Sequence, residues 1–136
     1  MRDEGGSAVL EMVILAPVLL LLLALAVAGG RLALAHEQVD AAAGQAARAA
    51  SIARSPTAAA DQARLSAEDA LANAGLSCTP MAVSVDTSQF RPGGSVTVTL
   101  TCTAQLGTLL PSALVGAHPV TGTSTSVIDL YRGVSP

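Results

Sequence analysis

GGSAVLEMVILAPVLLLLLALAVAGG, residues Gly5 to Gly30, is the stretch from which the rest of the chain is read. Between Met12 and Gly30 it carries no charge, and extended back to Ala8 it is broken only by Glu11. About twenty apolar residues span a bilayer as a helix. A buried helix of a soluble domain, made of Leu, Ala and Val at this length, would be unusual. The stretch therefore predicts a membrane span in the precursor. Of the 136 residues, roughly 100 remain for the rest, enough for one small domain.

The first turns of the run carry the most information. A carboxylate inside an apolar helix costs about 2.5–3.5 kcal/mol at the bilayer centre and less near its edge. Glu11 therefore needs a reason or a partner. One reading makes Ser7 an N-cap and lets Glu11 complement the helix dipole at the lipid boundary. The other lies in what precedes the helix. Gly6-Ser7, with Glu11 five positions into the cut chain, resembles the type III signal of prepilins, with Met1–Gly6 (MRDEGG) as the leader. Glycine at the cut permits close approach by a prepilin peptidase at the membrane surface. The resemblance implies a new amine on Ser7, a retained apolar helix, and pairing of Glu11 with the amine of a neighbouring pilin-like subunit. A buried carboxylate paired in that way loses most of its desolvation problem.

Among pilin-like families the chain resembles the TadE-like proteins of tight-adherence pilus systems. The resemblance rests on GSAVLEMVILAPVLLLLL, with Pro17 inside the run, followed by the Ala-rich VDAAAGQAARAASIA, and covers about the first 55 residues. Pro17 removes the bond to the Val13 carbonyl and is expected to kink the helix, though a lone proline is also ordinary in membrane helices.

A second processing signal competes. Ala26-Val27-Ala28 and Ala33-Leu34-Ala35 fit the A-x-A pattern of ordinary signal peptidase. Against it, the apolar run exceeds the usual 7–15 residues and the N-region holds Asp3 and Glu4 beside only Arg2. Arg2 and Arg31 flank the span on opposite sides, so counting positive charges does not orient it. The cysteine pair and the prepilin-like signal place the C-terminal part on the outer, extracytoplasmic side of the cytoplasmic membrane.

Composition narrows the function further. The aromatic residues are Phe90 and Tyr131, the seven cations are all arginine, and net charge is −3. With neither a basic patch nor rings on which bases could stack, nucleic-acid binding is excluded. A core of Ala, Val and Leu without large rings is thin and calls for extra support. Cys78 and Cys102 offer it. A cysteine pair in a small exported domain favours a disulfide over a metal site, which needs more ligands. Two buried thiols are the alternative. The bridge would be worth roughly 3–4 kcal/mol on the chain-entropy model.

Arg31 to Ser55, rich in alanine, continues the membrane helix outward. Ser55-Pro56 interrupts it and caps a second helix from about Thr57 to Ala74, with Asp61 and Arg64 facing each other and Gly75 suited to the C-terminal cap. Met81–Asp86 and Ser95–Cys102 alternate with period two and read as strands, joined by the turn TSQFRPGG. Matching faces puts Val83 and Val85 with Val96, Val98, Leu100 and Cys102. Cys78 has the wrong parity, so a bulge at Thr79-Pro80 is needed to bring it to Cys102. Thr123 to Tyr131 reads as a third strand, and Gln105 to Thr121 as irregular.

The fold class is thus α+β: a long N-terminal helix, a second helix, and a small antiparallel sheet of about three strands tied by one disulfide. The expected organisation is leader 1–6, hydrophobic helix 7–30, exported helices 31–75 and β subdomain 76–136. No catalytic constellation is legible. His36 and His118 have no ligand-spaced companions, G-x-S-x-G and phosphate loops are absent, and no cofactor or metal is implied. GAHPVTG reads as a plain connection. The expected function is that of a minor pilin or pseudopilin, structural rather than catalytic, with a prepilin peptidase, other pilin-like subunits and membrane lipid as partners. The rival readings are a signal-anchored or secreted envelope binding protein that never assembles, and a small secreted enzyme.

Overall fold

A computed structural model describes residues 5–104 and 117–131. Its elements run α1 (Gly5–Ser51), α2 (Pro56–Asn73), β1 (Cys78–Asp86), β2 (Ser95–Ala104) and β3 (His118–Val127). The strands form one antiparallel sheet in the order β1-β2-β3. The α+β class, the long first helix and the disulfide are as the sequence predicts. Residues 1–4 of the expected leader, and 105–116 of the expected irregular connection, lie outside the described residues. The chain divides into two compact units between Ala33 and Leu34.

In the first unit α1 is apolar on every side. Val9, Leu10, Met12, Val13, Ile14 and Leu15 are all exposed, as are Leu19 through Leu23. A helix that is hydrophobic all round needs an apolar surrounding on all sides. The helix begins at Gly5, so Ser7 lies inside it; the N-cap reading of Ser7 fails for that reason.

In the second unit the same helix changes character. Burial recurs at Ala35, Val39, Ala42, Ala43, Ala46, Ala47 and Ala50, the spacing of one helical stripe. Helix α2 contributes Ala59, Ala63, Ala67 and Leu71. The sheet turns Val96, Val98, Leu100, Cys102 and Val120 inward, and Ile128 just past β3 is buried with them. Small helical side chains let backbones come close. A side chain at Gly122 of β3 would stand 2.9 Å from the Val39 carbonyl oxygen and 3.0 Å from the Asp40 Cα. In register, Gly122 pairs with Leu100, among the largest fully buried side chains.

The ends of α2 are closed by local chemistry. Ser55, extended at the N-cap, accepts from the Ala58 N–H at 3.2 Å, with Pro56 in the first turn. At the other end Gly75 has φ 71° and donates to the Ala72 carbonyl, while the Leu76 N–H reaches the Leu71 carbonyl at 3.0 Å. This is a Schellman ending, which satisfies orphan carbonyls of the last turn. The expected Asp61–Arg64 pair is not formed. Arg64 reaches Glu68 instead, at 3.3 Å, the i,i+4 spacing replacing i,i+3. Exposed as it is, the pair contributes little.

The pairing of β1 with β2 sets Val83 opposite Leu100 and Val85 opposite Val98, as parity requires. The register shifts between Cys78 and Met81, and the Cys78–Cys102 disulfide forms across that irregularity with the Cα atoms 5.1 Å apart. The third strand starts earlier than its expected Thr123. Pro119 reads as a breaker, yet β3 is an edge strand, where a missing N–H need not cost a ladder bond. It also stops earlier, at Val127, because the Asp129 carboxylate accepts the Tyr131 N–H at 3.1 Å and turns the chain.

The outer face of the sheet is hydroxylated. Thr97, Thr99 and Thr101 stand opposite Thr125, Thr123 and Thr121, with Oγ1 separations of 2.8, 3.4 and 3.4 Å. In the β1–β2 turn the Ser88 N–H donates to the Asp86 carboxylate at 2.9 Å and holds its pKa below the ordinary value. That contribution is present above the unfolded pKa and is lost as pH falls through the folded one.

Gly122→Val tests the close approach. The added atoms meet backbone, which cannot swing aside, so the full-length protein in detergent is expected to lose about 1–3 kcal/mol in denaturant unfolding. Gly44→Ala is the control. Its Cβ would meet only the Ser124 Oγ, at an ordinary 3.8 Å, and removing a helix-interior glycine should stabilise by about 0.5–1 kcal/mol. Equal effects of the two variants would remove the close approach from the account.

Candidate functional site

Glycine, hydroxyl, carboxylate and apolar run all come from one element, so the site is a helix face rather than a pocket. Gly6, Ser7 and Glu11 occupy the first two turns of α1 and all three are exposed. Two adjacent glycines at the start of a helix are weak formers, each about 1 kcal/mol worse than alanine. The peptide between Gly6 and Ser7 thus sits in the part of α1 easiest to unwind. A side chain at Gly6 would meet nothing within 4 Å. Packing among the described residues does not call for glycine there.

Glu11 has no cation partner among the described residues, where the ion pair present is Arg64–Glu68. The next arginine along the helix is Arg31, twenty residues on and therefore about 30 Å away at the helical rise. Around the carboxylate, Val9 is 64% exposed, Leu10 66% and Met12 72%. Once those side chains leave water, the carboxylate leaves it with them. No described residue of this chain supplies a counter-charge there.

Pro17 lies within the continuous α1. Close to it, Met12, Leu15, Ala16, Val18, Leu19 and Leu22 border an open apolar groove of about 420 Å³ along the helix surface. With mean hydropathy 2.8 over its most apolar window, none of it buried, α1 is long and apolar enough to cross a membrane. Beyond Ala33 the exposed face of α1 turns polar, with His36, Glu37, Asp40, Gln45 and Arg48.

Elsewhere, among the described residues, the structure brings together Cys78 and Cys102 and no reactive cluster. His36 and His118 are both exposed, and among the described residues no group of three His, Cys, Asp or Glu side chains is placed to hold a metal ion. Sequence reasoning missed Gly122, although a glycine inside a strand pattern does signal close backbone approach. It also missed the groove beside Cys78, which arises from the ends of two elements and has no local signal.

Residues 6–48 match the family model of TadE-like proteins, and this N-terminal segment is TadE-like. No curated protein and no solved structure matches the chain.

The apolar surround can be tested at the middle of the run. Leu19→Arg with Leu22→Arg should cost about 5–7 kcal/mol of insertion, at 2.5–3.5 per arginine. Alkaline extraction of membranes is expected to leave the unaltered protein in the pellet and to release the double variant. Retention of both to the same extent would mean that this face does not contact lipid.

Proposed function

We propose that this chain, TadE-like over residues 6–48, is a minor pilin or pseudopilin that takes part in assembling an adherence pilus or related export machinery. One observation carries the reading: a helix face apolar on all sides that holds a single carboxylate, Glu11, without an ion-pair partner among the described residues. Lipid satisfies the leucines but not the carboxylate, whereas a bundle of like helices can satisfy both.

The reading assigns each part a task. A prepilin peptidase cuts between Gly6 and Ser7 and releases the 1–6 leader. Residues 7–30 hold the protein in the cytoplasmic membrane and later pack among the helices of other pilin-like subunits, where Glu11 meets a neighbour's N-terminal amine. Pro17 bends the helix for that packing. Residues 31–136 form the exported, disulfide-tied domain on the outer side. Its role is structural: the side-chain hydrogen bonds seen among the described residues close caps and turns, join Arg64 to Glu68 and form the threonine ladder.

The glycine is tested by maturation. Gly6→Leu should fold normally, because nothing among the described residues crowds position 6, yet remain longer than the mature protein by the leader. N-terminal sequencing that finds Ser7 first in both proteins would remove the requirement for Gly6; Met1 in the unaltered protein would exclude the proposed cut and favour a plain signal anchor.

The carboxylate is tested by assembly. If Glu11 only complements the helix dipole, Glu11→Gln loses roughly 0.3–1 kcal/mol and changes little. If it pairs with an amine in a helix bundle, the variant leaves a buried ammonium uncompensated at about 3–5 kcal/mol. The expected outcome is normal cutting and insertion with loss of crosslinking to partner pilins, while Leu10→Ile behaves as the unaltered protein. Normal crosslinking by Glu11→Gln would reduce the chain to a membrane-anchored domain.

A further inference from the structure

The two sulfurs of the disulfide face different surroundings. Cys102, in the central strand, is 0% exposed, whereas Cys78, at the start of edge strand β1, is only half-buried. Beside Cys78 lies an open groove of about 280 Å³ between the end of α2 and β1. Leu71, Ala72, Leu76 and Met81 make it largely apolar, and the carboxylate at its rim, Glu68, is taken up by Arg64. Thiol–disulfide exchange requires a thiolate to reach one sulfur in line with the bond to the other, so access decides which sulfur is attacked.

We infer that Cys78 is the sulfur through which this disulfide is exchanged in the folded domain, and that the groove seats the apolar segment around the reactive thiol of a dithiol oxidoreductase. In the reducing direction the oxidoreductase thiolate attacks Cys78 Sγ. The Cys78–Cys102 bond breaks, and its electron pair leaves on Cys102 Sγ, which takes up a proton. The second thiol of the oxidoreductase then attacks its own sulfur in the mixed disulfide and frees Cys78 as thiolate. Two electrons pass from the partner dithiol to the protein disulfide. Closure is the reverse: Cys78 attacks the partner's disulfide and Cys102 displaces the partner. The occupant of the groove follows from the sulfur at its edge, because a partner that exchanges there must place its own sulfur against Cys78.

The test uses the full-length protein in detergent under native conditions. Glutathione is added, the reaction is acid-quenched early, and the mixed disulfide is located by peptide mass spectrometry. The expected result is an adduct on Cys78 at least about ten-fold over Cys102. An adduct shared evenly between the two cysteines, as exchange through unfolding would give, overturns the assignment. The groove is tested with Ala72→Trp at an exposed position in the last turn of α2. Reduction by a purified C-x-x-C oxidoreductase should slow by about ten-fold, while reduction by glutathione stays unchanged. Equal slowing of both, or of neither, overturns docking in the groove and leaves only the difference in exposure.

Discussion

At Gly122 the backbone of α1 occupies the space where a side chain of β3 would stand, with the Val39 carbonyl and the Asp40 Cα as its nearest backbone atoms. Much of the Leu34–Tyr131 unit depends on this approach. A helix that lies so close to a sheet has no room for large residues on its facing stripe, and α1 presents alanine at six of seven buried apolar positions between Ala35 and Ala50. The sheet supplies what volume there is, through Val96, Val98, Leu100 and Val120. A core of this kind gains less from burial than one with aromatic rings, because each alanine removes little apolar area from water. The Cys78–Cys102 bridge stabilises the same unit from the other side, by restricting the unfolded chain.

One helix carries two kinds of surface. From Val9 to Val27 its side chains, Glu11 apart, are apolar and nearly all exposed, while from Ala35 onward they are mostly alanine on one buried stripe and mostly polar on the rest. The change needs no break in the backbone. It is made by replacing leucine with alanine on the stripe that meets the sheet, and by adding charged residues on the opposite side. The TadE-like match spans both environments, since residues 6–48 reach well into the alanine stripe.

Local signals in the chain were enough for most elements. The apolar run, Ser55-Pro56 before a helix, Gly75 after it and the period-two valines each act within a few residues, so helix, cap and strand were legible from them. The parity of Cys78 and Cys102 even located the bulge at Thr79-Pro80, because side chains alternate strictly along a strand. The third strand runs through Pro119, which the sequence reads as a breaker, because a proline's meaning depends on whether its strand is central or at an edge, and strand order is not local. Arg64 was given Asp61 where it takes Glu68, since two carboxylates at helical spacing compete for one cation and the side-chain geometry decides between them.

The candidate site divides along the same line. That Gly6, Ser7, Glu11 and the apolar run lie on one helix follows from the sequence alone, because contiguous residues of a helix need no tertiary contact to be neighbours. Tertiary structure alone decided that Gly122 carries the α1 backbone, that Cys102 is sealed while Cys78 borders a groove, and that the threonines pair across the sheet. Each of these depends on which strand ends up beside which and how near a helix lies to it. Such distances are set by the packing of segments remote in sequence, and no window of residues contains them.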